Sequence, residues 1–185
     1  MTLSGTNSMK LYTGVGSRDT NPEMLDLIQN VASVLGKQGW VLRSGGADGA
    51  DSAFEAGCDA VQGSKKIYIP WDGFNGRHQD GQSVLTLDQG DRDGAMDLVK
   101  EVHPAYGMLS RGALALHARN AYQVLGLYLD TPSKFLLCYA PVDKYGGPKG
   151  GTRTSWMLAQ MFDIPCFNLG NERDYERVIS LLENK

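Results

Sequence analysis

The chain has 185 residues, 42% of them hydrophobic, and a formal net charge of −3 at pH 7, enough for one full core and too little for two comfortable domains. No run approaches the ~18 consecutive apolar residues of a membrane helix, and the N-terminus lacks the charged, apolar and cleavage regions of a signal peptide. The acidic balance argues against wrapping a nucleic-acid backbone, while leaving room for a local basic pocket.

A cytoplasmic protein is therefore expected, with one domain over residues 9–185. Residues 1–8 are polar and aperiodic, and a second methionine, Met9, directly precedes the first strand-like run, so this arm is expected to be disordered or to reflect an alternative start. Lys10–Val15 reads as a short strand, broken by Gly16-Ser17-Arg18-Asp19 ahead of Pro22, a favoured first-turn residue. Met24, Leu25, Ile28, Val31, Ala32 and Leu35 recur at helical spacing up to about Gly39. Trp40–Ser44 is the next strand. It runs into Ser44-Gly45-Gly46-Ala47-Asp48-Gly49-Ala50-Asp51 and a helix from about Asp48 to Val61. A third strand, Lys66–Pro70, precedes a polar loop from Trp71 to Gln89, roughly twenty residues where ordinary connections take ~4–6. Its place after a strand makes it a candidate lid. Helical patterns cover Gly94–Val102 and Ser110–Leu129, with Pro132 closing the second. Lys134–Ala140 is the most apolar run and the expected central strand. A second glycine segment, Gly146-Gly147-Pro148-Lys149-Gly150-Gly151-Thr152-Arg153-Thr154, leads into a helix over Thr152–Phe162, a fifth strand over Ile164–Leu169 and a last amphipathic helix over Asp174–Glu183. Strands alternating with helices predict an α/β fold with a mostly parallel sheet of about five strands covered on both faces.

In such a sheet ligands bind at the carboxyl ends of the strands, where strand order reverses. That rule gathers Gly16, Ser17 and Arg18 after the first strand, Ser44, Gly45, Gly46 and Asp48 after the second, and Gly150, Gly151, Thr152 and Arg153 after the fourth. Glycines feeding helix starts leave backbone amides beside a positive dipole end, which suits a phosphate; isolated glycine pairs more often only make tight turns. Arg18, Arg119 and Arg153 are candidate phosphate clamps, whereas Arg43, inside a strand, is read as a surface pair. Asp48 is as good an N-cap as a ribose ligand. Asp51 and Glu55 lie four apart on one helical face, a candidate catalytic carboxylate pair, although most such pairs are solvated. The segment His117-Ala118-Arg119-Asn120-Ala121-Tyr122-Gln123 puts polar groups, Asn120 among them, on a helix otherwise patterned for burial and suggests a pocket wall. His117 itself is read as a satisfied core histidine, and Trp71, Phe74 and Trp156 as core before base-stacking platforms.

Cys58, Cys138 and Cys166 are odd in number and widely spaced, so they are expected to be buried thiols. His78, His103 and His117 form no metal-ligand spacing with one another or with a cysteine. Neither a resident cofactor nor a metal is expected.

The pieces Val15-Gly16-Ser17-Arg18, Ser44 through Asp51, the Arg119 helix, Gly150-Gly151-Thr152 and Ile164–Leu169 together resemble the SLOG superfamily, which joins the DNA-processing protein DprA (Smf) with the LOG phosphoribohydrolases. The resemblance spans nearly the whole chain. It implies a three-layer, doubly wound Rossmann-like fold and a pocket for a nucleotide or nucleotide-derived phosphate ligand, in a homodimer or higher homo-oligomer. It further implies hydrolysis of the N-glycosidic bond of a nucleoside 5′-monophosphate, with Arg119 standing for the family's helix arginine. The acidic residue expected shortly after the Gly-Thr pair is replaced by Thr154 and Ser155, so a carboxylate to stabilise the developing cation has to come from Glu55, Asp51, Asp48 or Asp19. The alternatives are a protein that sequesters a cyclic or ADP-ribose-type signalling nucleotide and a single-stranded DNA binder; a basic groove studded with aromatic residues, which the last requires, is missing from the sequence.

Overall fold

A computed structural model describes residues 8–183; apart from Ser8, the N-terminal arm expected to be disordered lies outside the described residues. The chain alternates β1 (Leu11–Gly16), α1 (Pro22–Lys37), β2 (Val41–Ser44), α2 (Ala50–Asp59), β3 (Lys65–Ile69), β4 (Val84–Thr86), α3 (Arg92–Val102), α4 (Arg111–Leu125), β5 (Phe135–Tyr139), α5 (Thr152–Met161), β6 (Cys166–Asn168) and α6 (Glu172–Glu183). All strand pairs are parallel, in the order β4-β3-β2-β1-β5-β6.

Side-chain alternation divides the core between two faces. Tyr12, Ile67, Ile69 and Leu137 point to α1, α2 and α6, where they meet Ile28, Val31, Phe54 and Val178. Their neighbours Val15, Tyr68, Leu136 and Cys138 point the other way, to Ala118, Tyr122 and Leu125 of α4 and Leu158 of α5. The result is the three-layer, doubly wound arrangement.

Local chemistry sets the element ends. Asn21 caps α1, its side-chain oxygen accepting from the Met24 amide at 2.9 Å, and Pro22 opens the first turn. The helix stops before Gly39, whose φ of +80° favours glycine. Two boundaries differ from expectation. α2 starts at Ala50 behind Gly49, not at Asp48. α4 ends at Leu125, because Gly126 turns out of the helix at φ +82° well before Pro132.

The sheet has six strands, one more than expected. The extra strand, β4, emerges from the long polar loop as only Val84-Leu85-Thr86, too short for a period to register. Among the described residues no helix is long and apolar enough to cross a membrane.

Candidate functional site

Strand order reverses between β1 and β5: the chain leaves β1 towards β2 on one side and leaves β5 towards β6 on the other. The two departing loops part there and leave a cleft of about 390 Å³. The Ser17 amide donates to the Tyr139 carbonyl at 2.7 Å and ties the loops at the cleft floor.

One wall is the β1 loop, Gly16 through Asp19. The opposite wall is Lys149, Gly150, Gly151 and Thr152 at the start of α5, with Ser155 one turn on. The back is a stripe of α4, Leu116, His117, Arg119, Asn120 and Gln123, with Ala47 and Asp51 below. Of the residues singled out in the sequence, the cleft thus gathers Gly16, Ser17, Arg18, Asp51, Arg119, Asn120, Gly150, Gly151 and Thr152.

Ser44, Gly45, Gly46, Asp48, Glu55 and Arg153 lie outside the lining, each for a visible reason. Ser44 is fully buried at the end of β2. The Gly45 carbonyl accepts a hydrogen bond from Arg119 Nη1, and a Cβ at Gly45 would collide with Arg119 and Gln123, so this glycine makes room for side chains behind the cleft. Gly46 and Asp48 are engaged from outside by Asn75, whose Nδ2 donates to the Gly46 carbonyl at 3.1 Å and to Asp48 Oδ1 at 2.9 Å. Glu55 pairs with Lys65 and Arg77, each at 2.9 Å. Arg153 pairs with Asp143 at 2.9 Å.

The first glycine segment is therefore spoken for. The carboxylate of Asp51 takes the Gly16 amide at 3.1 Å and is also stabilised by the amides of Ala47 and Gly45. Burial pushes this carboxyl up, opposed first by the Arg119 guanidinium and then by those amides. Burial in turn pushes Arg119 down, against the attraction of Asp51. An arginine keeps its proton regardless.

The second segment is open. α5 begins at Thr152 with no side-chain cap and no acidic residue in its first turn. Gly151 has ordinary helical φ and ψ of −62° and −27°, and a Cβ there would meet nothing within 4 Å. Arg18 and Lys149 stand exposed on the two walls, and among the described residues no carboxylate forms an ion pair with either. Two buried donors on the α4 side, Arg119 Nε and Gln123 Nε2, have no hydrogen-bond partner. Together these features offer an anion a helix dipole, free amides and cations.

Gln123 lies on the pocket wall expected of its helix segment, whereas Lys149, Leu116 and Ser155 join the lining unexpectedly and His117, expected in the core, lines it too. The α4 residues carried a usable signal: 116, 119, 120 and 123 recur at one-face helical spacing. The long loop is not a cover for the cleft. It straps the outside of the β2–α2 turn, where Asn75 and Arg77 hold it and the Phe74 ring lies 5.3 Å from the Arg119 guanidinium. Arg43, expected at the surface, is buried and donates to the Thr131 carbonyl and, at 3.0 Å, to Thr131 Oγ1.

No protein-family model matches the chain, and no curated protein matches it in sequence. Solved structures do match in shape. The molybdenum cofactor binding protein of Rippkaea orientalis is 15% identical with a TM-score of 0.57, over 97% of this chain and 87% of that one. The single-stranded-DNA-binding DNA processing protein A of Helicobacter pylori is 17% identical with a TM-score of 0.56, over 96% and 81%. The Moco carrier protein of Chlamydomonas rheinhardtii is 17% identical with a TM-score of 0.52, over 95% and 85%. The chain therefore shares the Rossmann-like fold of these structures, as its motifs led one to expect; identities this low speak to fold alone.

Proposed function

We propose that the cleft binds a phosphate-bearing nucleotide or nucleotide-derived cofactor and holds it intact. The observation that carries this reading is the uncapped start of α5 between two cations, Arg18 and Lys149, that form no ion pair among the described residues. The volume of about 390 Å³ suits one mononucleotide-sized ligand. Two of the similar folds are named for carrying or binding the molybdenum cofactor, which supports a carrier or receptor over an enzyme.

Glycosidic hydrolysis needs a carboxylate free to meet the sugar. Glu55 is committed to Lys65 and Arg77 outside the cleft, and the oxygens of Asp51 are committed to backbone amides. Asp19, on the cleft wall with Arg119 behind it, is the one observation favouring the hydrolytic reading.

Calorimetry with 5′-nucleoside mono- and diphosphates, ADP-ribose, cyclic nucleotides and the molybdenum cofactor, followed by chromatography of the bound material, separates the two. Binding with intact recovery is expected. G151A, which adds a methyl to a cleft-lining residue with nothing within 4 Å of it, is expected to weaken binding at least tenfold without lowering the melting temperature. Free base among the products replaces this reading with hydrolysis, and undiminished binding by G151A removes the α5 site.

A further inference from the structure

One ionisable group in the cleft wall has no role so far. His117 lines the cleft from α4, its Nδ1 lies 2.8 Å from Thr154 Oγ1 of α5, and its ring meets the His103 ring edge to face with centroids 4.5 Å apart. His103 closes α3, and its Nδ1 accepts from the Ala105 amide at 3.2 Å. The His103 ring is therefore held against His117 from the end of α3. No group of three or more potential metal ligands occurs among the described residues.

The charges around His117 come from every side of the cleft. Arg119 shares its helix, His103 packs against the ring from α3, Arg18 and Lys149 stand on the walls, and Asp19 and Asp51 are the anions, while α5 presents the hydroxyls of Thr152, Thr154 and Ser155. Burial first, then the neighbouring His103 and the Arg119 guanidinium, disfavour the charged imidazole in the empty cleft and hold its pKa down to about 4. An incoming anion reverses that balance.

We propose that His117 is the proton-linked contact of the cleft: neutral when the site is empty, it takes up one proton from solvent as an anionic group docks at the start of α5, and the imidazolium then adds a charged donor to the ligand. The proposal rests on the reading of the cleft as an anion site. No covalent bond forms or breaks, and the only transfer is one proton from buffer to the ring.

Sulfate is a suitable probe because its charge is constant between pH 5 and 8. If the anion restores the imidazole to about 6.5, sulfate affinity rises about tenfold between pH 7.5 and 5.5. Titrations of the full chain in two buffers of different ionisation enthalpy then report uptake approaching one proton at pH 5.5. H117Q, which keeps a partner for Thr154 but cannot ionise, is expected to flatten the profile and abolish uptake. H78Q, at an imidazole paired with Asp72 away from the cleft, is expected to keep both. The His117 ring-proton NMR titration with and without sulfate reads the same shift without a variant. Sulfate binding with no proton uptake and an unmoved His117 titration overturns the proposal and leaves the anion site standing. Failure of both sulfate and nucleoside 5′-monophosphates to bind at either pH overturns both.

Discussion

Replacing Gly45 with alanine tests the packing behind the cleft. The added Cβ would sit 2.7 Å from Arg119 Cζ and closer still to Arg119 Nη1 and Gln123 Nε2. Neither side chain has somewhere to go: Arg119 is 7% exposed and Gln123 1%, and Gln123 Oε1 also accepts from Ser155 Oγ at 3.3 Å. Overpacking of this kind costs about 1–3 kcal/mol, and loss of the charged hydrogen bond from Arg119 to the Gly45 carbonyl adds about 1.5–3 kcal/mol. The combined loss of roughly 2.5–6 kcal/mol is a large part of a typical total of about 5–15 kcal/mol. Urea unfolding is expected to show a midpoint lowered by at least about 1 M at an unchanged slope. G151A, with empty space around its new methyl, is the control and is expected to leave the midpoint alone. A G45A midpoint within about 0.3 M of the parent, or equal shifts in the two variants, refutes the reasoning.

R43M removes the buried guanidinium that donates to the Thr131 carbonyl and hydroxyl; a cost of about 1.5–3 kcal/mol is expected to lower the melting temperature by roughly 4–9 °C, measured by circular dichroism. F74A takes away the ring beside the Arg119 guanidinium, and limited proteolysis is expected to cut between residues 71 and 83 several-fold faster than in the parent, at a stability cost of about 1 kcal/mol. His117 titrates lower in the folded chain, about 4, than its ordinary value of 6.5. The unfolded chain therefore binds more protons between those values, and stability is full above pH 6.5 and falls as the pH drops towards 4. After allowance for partial solvent exposure the loss is on the order of 1–2 kcal/mol. Urea midpoints at pH 7.5 and 4.5, without sulfate, are expected to differ less in H117Q than in the parent.

The strand and helix alternation was legible because Asn21, Pro22 and Gly39 act locally and the apolar stripes of α1 and β5 are long. The cleft was legible where a glycine turn sits at the strand reversal, as at Gly16 and Gly151. It was illegible where a long-range partner decides. Nothing near Gly45 in sequence announces that Arg119, 74 residues on, needs its carbonyl, or that Asp51 answers amides from two different loops. Glu55 and Lys65 are likewise ten residues apart and meet only because β3 returns alongside α2. The imidazole pair of His103 and His117 follows from the crossing of α3 and α4, which no local pattern encodes.

The two outermost strands, β4 and β6, are three residues long apiece, and neither contributes an atom to the cleft lining. The margins of such a sheet open first and most often. Here β4 lies at the far end of the sheet from the β1–β5 reversal and β6 lies beyond β5, so fraying at either flank leaves the lining of the cleft in place. The same geometry makes those flanks the natural place to splice on another module.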